Sequence, residues 1–210
     1  CASKRWSAYS SDIKNAFGQA MKNTRSNPIA TSLPAGIIEA GFDLDPRQIL
    51  LCETEVYGLI SGPSWLRQSL VATFEELGYR RNPYDKCIMT LPSSDPKKTE
   101  SSGIVLIEVD DIFEGGDSTH SKKMEHFYSK YKCGKRKRLL DLGDEGTLIS
   151  GLRVIQHKDF SFSWHMQEYV DKSMVPITVP RGFLSSKTEV NDETLSKVVS
   201  CNGRIGWVGG

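Results

Sequence analysis

Gly103-Ile-Val-Leu-Ile-Glu-Val-Asp-Asp-Ile-Phe113, followed by Gly115-Gly116, is the most apolar run of the chain, and one pair of aspartates interrupts it. A short apolar run broken by turn-forming residues reads as a buried β-hairpin with Asp110 and Asp111 at its tip. An ionised carboxylate beside a low-dielectric core must be paired or must coordinate a cation. The competing reading is a plain polar turn, because aspartate is a favoured turn residue. The dipeptide alone does not choose between the two.

Working outward, residues 7–17 carry Tyr9, Ile13 and Phe17 among polar neighbours, a short strand running into a helix with Asp12 at the junction. Pro28, Pro34, Gly36, Gly41 and Pro46 give residues 26–45 a loop signature. Residues 52–59 read as a strand closed by Gly58. Leu66, Leu70, Phe74 and Leu77 recur at helical spacing, so residues 64–77 form an amphipathic helix, with Ser64 as N-cap and Gly78 just past the end. A short strand at 87–91 and an exposed linker at 92–102 lead into the hairpin. Beyond it, Met124, Phe127, Tyr128 and Tyr131 mark a second helix ending near Gly134, and a basic run follows at once. Residues 148–155 and 160–164 flank the turn formers His157, Lys158 and Asp159 and read as another hairpin; residues 167–174 suit one more short helix. Helices and strands mix without a β-α-β alternation, which gives an α+β fold.

The chain of 210 residues is 38% hydrophobic, enough for one sizeable core and a single domain. Lys plus Arg at 27 nearly cancel Asp plus Glu at 26, so the global field neither demands nor excludes a polyanion, and local clusters must decide. Five scattered cysteines without a C-x-x-C pair argue against a disulfide framework or a zinc knuckle. The four histidines lack metal-ligand spacing and read as scattered surface residues. No apolar stretch is long enough to span a bilayer and no signal peptide is apparent, so a soluble, reduced protein without a membrane partner is expected. Cys1 at the start and Val208-Gly209-Gly210 at the end suggest a piece of something longer.

Asp12, Asp110 and Asp111 are hard oxygen donors of the kind a pair of Mg²⁺ ions requires. Two such ions, about 4 Å apart, activate a hydroxyl nucleophile and stabilise a leaving pyrophosphate in in-line nucleotidyl transfer. Spacing alone does not bring Asp12 to the hairpin.

Taken in order, Asp12-Ile-Lys-Asn-Ala-Phe17, Val56-Tyr-Gly-Leu59 with Pro63 and Trp65, Gly78-Tyr79, Asp85-Lys-Cys87 and Val109-Asp-Asp-Ile112 resemble the reverse transcriptase of copia-type LTR retrotransposons. Asp141-Leu-Gly143, Ser150-Gly-Leu-Arg153 and Gly203-Arg-Ile-Gly206 continue the resemblance nearly to the end. It implies a palm-like antiparallel sheet with packed helices, partial fingers and an incomplete thumb or connection. One domain fragment over 1–210 would comprise a palm core at about 7–145 and a primer-grip-like hairpin with C-terminal segment at about 146–210. The activity implied is RNA-directed DNA polymerisation by a Pol polyprotein fragment.

The same resemblance makes Asp12, Asp110 and Asp111 the catalytic, metal-binding carboxylates, Asp12 and Asp110 as principal ligands and Asp111 in support, with the Ile13 carbonyl as a further oxygen. The metals are two Mg²⁺, or Mn²⁺. Phe17 falls where the family places the aromatic that abuts the sugar of the incoming nucleotide; its plainer reading is a core ring. Leu33-Pro-Ala-Gly36 is similar to a segment packing near nucleotide and template, and Gly151 lies in the stretch similar to the hairpin that holds the primer end, unless it is a strand bulge. The run Lys130, Lys132, Lys135, Arg136, Lys137 and Arg138 could neutralise phosphates of the template-primer, or be a solvated charged face. Implied partners are an RNA or DNA template-primer, deoxynucleoside triphosphates and the polyprotein's protease, integrase and ribonuclease H. The implied location is the cytoplasm, within virus-like particles, with the nucleus as the alternative.

Two departures stand out. Where the family has a Lys-Gln-Ala-Pro-Arg series, this chain has Ile60-Ser-Gly-Pro-Ser64 and loses both cations, and Trp65 comes one place early. The fingers strands whose Lys and Arg grip the triphosphate precede the first aspartate in the family, and few residues precede Asp12 here, so inefficient polymerisation is expected of this stretch alone. The rival expectation is a catalytically inactive retroelement remnant that at most binds nucleic acid.

Overall fold

The computed structural model describes residues 1–22, 24, 26–45, 47–95, 97, 99–173, 192 and 195–200. In chain order the elements are β1 (Ala8–Asp12), α1 (Ala16–Gln19), β2 (Ile29–Ser32), α2 (Ala35–Glu39), β3 (Ile49–Cys52) and α3 (Gly62–Glu76). Next come β4 (Arg80–Arg81), β5 (Ile88–Pro92), β6 (Ser101–Glu108), β7 (Asp111–Gly116), α4 (Ser118–Lys130) and β8 (Lys137–Arg138). The described chain continues with β9 (Thr147–Ile149), β10 (Leu152–Gln156), β11 (Phe162–His165) and α5 (Gln167–Ser173). The fold is α+β, built on antiparallel strands.

A six-stranded sheet in the order β4-β5-β6-β7-β1-β8 is the centre of the molecule. Its middle is the hairpin expected at residues 103–113: β6 and β7 pair from Gly103↔Gly116 to Glu108↔Asp111, with Val109 and Asp110 alone in the turn. β1 joins the other side of β7 in the register Ala8↔Gly115 to Asp12↔Asp111. The first and last segments of the core are thus zipped together by pairings no local pattern specifies.

Alternation along these strands sends one set of side chains to the helices and the other to the open face. Ile13, Met89, Leu91, Val105, Ile107 and Ile112 lie in the buried core beneath α3 and α4. The helices answer with Leu66, Leu70, Phe74, Met124 and Phe127, each 0% exposed. Burying each of these large apolar side chains contributes about 1.5–3 kcal/mol. Phe74 and Phe127 stack at 4.7 Å, Phe127 stacks on Tyr131 at 4.9 Å, and Tyr79 closes the group edge-on to Phe74 at 5.2 Å.

Several local expectations change. Residues 26–45 contain β2 and α2 rather than loop alone. The strand expected at 52–59 sits upstream as β3, because its partner sets it: Ile29↔Cys52 to Ser32↔Ile49 form a separate two-stranded ribbon. Residues beyond it turn instead, and Glu55 is buried where the Ser61 hydroxyl donates to its carboxylate at 2.9 Å. The residue at the N-cap position of α3 is Ser61, not Ser64, its hydroxyl turned to Glu55 rather than to the helix, and Pro63 stands in the first turn, where its missing N–H costs nothing. The hairpin expected around His157 is there, but residues 148–155 are not one strand: a turn at Ser150 and Gly151 splits them into β9 and β10, which gives a three-stranded sheet, β11-β10-β9. The Gly203-Arg-Ile-Gly206 motif lies outside the described residues. Among those residues no helix is long and apolar enough to cross a membrane.

A small number of polar groups set how the three-stranded sheet sits on the large one. Gln156, 2% exposed, accepts from the Ala8 N–H at 2.8 Å and donates to the Trp6 carbonyl at 2.7 Å, so one side-chain amide satisfies the backbone on both sides of Ser7. The Ser10 hydroxyl donates to Thr147 Oγ1 at 3.1 Å. These bonds hold the strand after Gly146 over the open end of β1.

Candidate active site

Strand register gathers the carboxylates. Asp12 faces Asp111 across β1 and β7, and Asp111 faces Glu108 across the hairpin. Residues directly opposite one another point to the same sheet face, so Glu108, Asp111 and Asp12 form one lateral row on the open side. The Ile13 N–H donates to the Asp110 carbonyl at 2.8 Å. By the alternation of an antiparallel ladder, Asp12 and Asp111 are therefore a non-hydrogen-bonded pair, the kind with Cα atoms only about 4.5 Å apart.

The row lines a cleft of about 410 Å³ between the large sheet and the β9–β10 hairpin. Its floor includes Ser10, Leu106 and Phe113 beside the carboxylates; Lys135 and Lys137 line it from the sheet edge next to β1, and Thr147 and Arg153 from the β9–β10 hairpin. Arg153 is committed to Glu168 at 2.7 Å, whereas the two lysines are exposed, Lys137 in the edge strand β8 and Lys135 just before it. Carboxylates and lysines thus line one opening.

Crowding shows in the protonation of the row. Burial first, and then the charges of Asp110, Asp12 and Glu108, push the Asp111 carboxyl above the ordinary carboxylate range. Burial, with Asp12 alongside, moves the neighbouring Cys133 thiol up to about 11 and keeps it neutral.

Asp110 occupies the hairpin turn, exposed and outside the cleft lining, so Asp111 rather than Asp110 stands opposite Asp12. Val109 holds φ at 54°, and Asp110 has no positive φ, the pattern of a type II′ turn in which glycine normally takes the first central place. A β-branched residue there is a backbone outlier. The Ile13 side chain is core, 2% exposed, which leaves only its backbone near the carboxylates.

Phe17 packs against the core and meets the exposed Tyr57 edge-on at 6.0 Å; it does not line the cleft. Leu33 and Gly36 flank the start of α2 and are not in the lining either. Ser150 (φ 48°) and Gly151 (φ 82°) make a two-residue turn between Ile149 and Leu152, so Gly151 is a hairpin tip and not a bulge.

The basic run divides. Lys130 pairs with Glu76 at 3.2 Å. Lys137 pairs in register with Ser10 and shares the cleft with Lys135, whereas Arg138, opposite Tyr9, turns to the Ser7 hydroxyl and Asp141. Arg136 leaves the cleft altogether, with its guanidinium 3.9 Å from the Tyr9 ring centre and its Nε donating to the buried Glu114 at 2.7 Å. Strand alternation is the reason: consecutive residues of an edge strand cannot face one side together. Of residues 135–138, then, Lys135 and Lys137 line the cleft and Arg136 and Arg138 do not.

His120 is a second correction. It is not a surface histidine but 1% exposed, whereas His126, His157 and His165 are exposed. Glu108, Glu114 and Gly134 were not singled out by sequence; apolar-looking strand positions carrying glutamate were the available signal for the first two.

Could a divalent cation be held here? The donors are hard oxygens in the right row, and Gly134 provides a cradle for one of them: a Cβ there would come within 2.8 Å of the Asp12 Cγ. Among the described residues no three acidic, imidazole or thiol groups converge on a single point in this conformation. Asp12 lies over Gly134, and bringing it to Asp111 takes rotation about side-chain torsions, not movement of the paired strands. The chemistry of the donor set fits such a cation.

Comparison with known proteins adds no family: no protein-family model matches the chain, and no curated protein matches it significantly.

Proposed function

We propose that the chain is the palm region of a copia-type reverse transcriptase, an RNA-directed DNA polymerase working on an RNA or DNA template-primer and deoxynucleoside triphosphates. What supports this reading is one observation: the register that sets Asp12 of β1 beside Asp111 of β7, at the tip of a hairpin in an antiparallel sheet backed by two helices. The order of short motifs in the sequence points the same way.

In this reading Asp12, Asp110 and Asp111 hold two Mg²⁺ ions. When bound, these supply activation of the primer 3′-hydroxyl and neutralisation of the leaving pyrophosphate. The rest falls to the chain's own side chains. Strand pairing fixes Asp12 and Asp111 on a rigid sheet, so little reorganisation remains when charge develops between them. Lys135 and Lys137 supply positive charge across the cleft for the phosphates of the strand being copied or extended. The β9–β10 hairpin, tied to β1 through Ser10 and Thr147, orients the primer end above the row.

The rival reading is an inactive remnant that only binds nucleic acid. It is favoured by Ile60, fully exposed where the family carries a cation. Primer extension separates the two. The chain, carried upstream through its in-frame coding sequence, should extend a primer in Mg²⁺, and Asp110→Asn and Asp111→Asn should each slow incorporation at least about a hundredfold, about 2.7 kcal/mol. A parent that binds duplex but never extends it favours the remnant.

A further inference from the structure

Beneath the cleft, on the helix side of the same sheet, lies a charged network that the proposed chemistry does not use. Glu114 of β7 has a fully buried side chain. Its Oε2 lies 2.7 Å from His120 Nε2, and its Oε1 accepts from Arg136 Nε at 2.7 Å. Arg136 Nη2 stands 2.6 Å from the same oxygen, an ionic contact rather than a directed hydrogen bond. His120 Nδ1 meets the Tyr79 hydroxyl at 2.8 Å. Both ring nitrogens of His120 are satisfied when Tyr79 donates to Nδ1 and Nε2–H donates to the carboxylate.

Room for this network is built into the backbone. Gly103 and Gly116 are register partners, and a Cβ on either would run into the His120 ring. Arg136 reaches its partner by crossing β1, with its guanidinium over Tyr9 at 3.9 Å and near Tyr128 at 5.5 Å. Burial works against the Arg136 charge, but the Glu114 carboxylate outweighs it and raises the pKa. With the Glu114 carboxylate fully buried and the Arg136 side chain 28% exposed, removing Arg136 alone would leave a buried charge without its cation, so the two side chains hold each other in place.

What it fixes is the edge of the sheet. Lys135 and Lys137, either side of Arg136, are the residues that face the carboxylate row. β8 is short, pairing through Tyr9↔Arg138 and Ser10↔Lys137, and before it the Gly134 N–H donates to the Asp12 carbonyl at 2.7 Å, so Arg136 lies between two backbone attachments to β1 and its side chain adds the tie to β7. The guanidinium, reaching over β1 on the helix side to Glu114, acts as the peg.

We infer that Arg136, gripped by Glu114, is a positioning residue that sets Lys135 and Lys137 in the cleft to hold two phosphates of a bound nucleic-acid strand. The inference rests on the polymerase reading for the nature of the strand, but concerns only how the chain grips it.

The test is a double-mutant cycle on binding of a labelled DNA duplex, read as affinity and as its salt dependence. Glu114→Gln with Arg136→Met removes the pair at constant net charge and leaves no orphaned buried charge. Lys135→Gln with Lys137→Gln removes the proposed phosphate contacts. The lysine variant should flatten the slope of log K against log salt by roughly 1.8, or about 0.9 per phosphate. The pair variant should lose roughly tenfold in affinity and flatten the same slope, yet cause no further loss when both lysines are already gone. Equal losses in both backgrounds would mean that Arg136 touches the strand itself, and parent-like affinity and slope in a folded pair variant would mean that the peg positions nothing; either overturns the inference while leaving the polymerase reading standing. A parent that binds no duplex overturns both. If thermal melting shows the pair variant unfolded, Arg136→Lys, which keeps the charge but loses the two-pronged grip and the stacking, is put through the same cycle with the same expected coupling.

Discussion

Gly134 holds Asp12 twice: its N–H donates to the Asp12 carbonyl at 2.7 Å, and its bare α-carbon lies beneath the Asp12 carboxylate. A methyl group at that position would displace the carboxylate and not the strand, because Gly134 has no positive φ that only glycine tolerates. Gly134→Ala should therefore fold normally, keep duplex affinity, and slow Mg²⁺-dependent primer extension about tenfold or more, at ~1.4 kcal/mol per decade. Unchanged extension would show that the resting place of Asp12 is irrelevant to its work.

Asp111 should be a site where function is kept at the expense of stability. Burial and the neighbouring carboxylates raise its pKa in the folded chain, so this residue favours folding most below the ordinary value of 3.8, and that advantage is lost as pH rises through the raised value. At neutral pH without divalent ions, Asp111→Asn should melt higher than the parent, and the gain should vanish in acid below 3.8. Added Mg²⁺ should raise the melting temperature of the parent and leave the variant unmoved. Thermal melts at both pH values, with and without the ion, decide the matter.

Val109 should relax when replaced by glycine. Its φ of 54° costs an L-residue roughly 1–2 kcal/mol, against about 0.5–1 kcal/mol of extra chain entropy for glycine. Val109→Gly should thus gain up to about 1.5 kcal/mol, or about 3–6 °C for a domain of this size. A lower melting temperature would mean that the Val109 side chain contributes more than its backbone costs.

Asp117 caps α4, its Oδ1 accepting from the Thr119 N–H at 2.8 Å and the His120 N–H at 3.1 Å. Burial alone would raise its pKa, but the hydrogen bonds from His120, Ser102 and Thr119 outweigh it and hold the carboxyl below 3.8. The cap's contribution is present above 3.8 and is lost as pH falls through the lowered value. Asp117→Ala should cost about 0.5–2 kcal/mol at neutral pH, with the difference from the parent narrowing in acid. Denaturant melts across that range check it, and a difference independent of pH would contradict it.

The two strongest local patterns carried over into the structure because each needs only its own residues. The helical repeat of Leu66, Leu70 and Phe74 makes one apolar stripe, and the run from Gly103 to Phe113 can only be buried as a hairpin broken at its polar pair. The strand expected at 52–59 failed for the opposite reason. Its residues have strand propensity, but the partner β2 takes Ile49–Cys52 instead, and propensity yields to pairing.

By itself, then, the sequence determined an α+β chain, a hairpin with Asp110 and Asp111 at its turn, Asp12 at the end of another strand, and a basic run after the second long helix. Only the tertiary structure decided that Asp111 stands opposite Asp12, that Glu108 completes the row, and that Lys135 and Lys137 share its cleft while Arg136 crosses β1 on the other face to Glu114. The reason is the two-residue period of a strand: which side chains share a face depends on register, register depends on a partner far away in the chain, and a slip of one residue would turn every side chain to the other face.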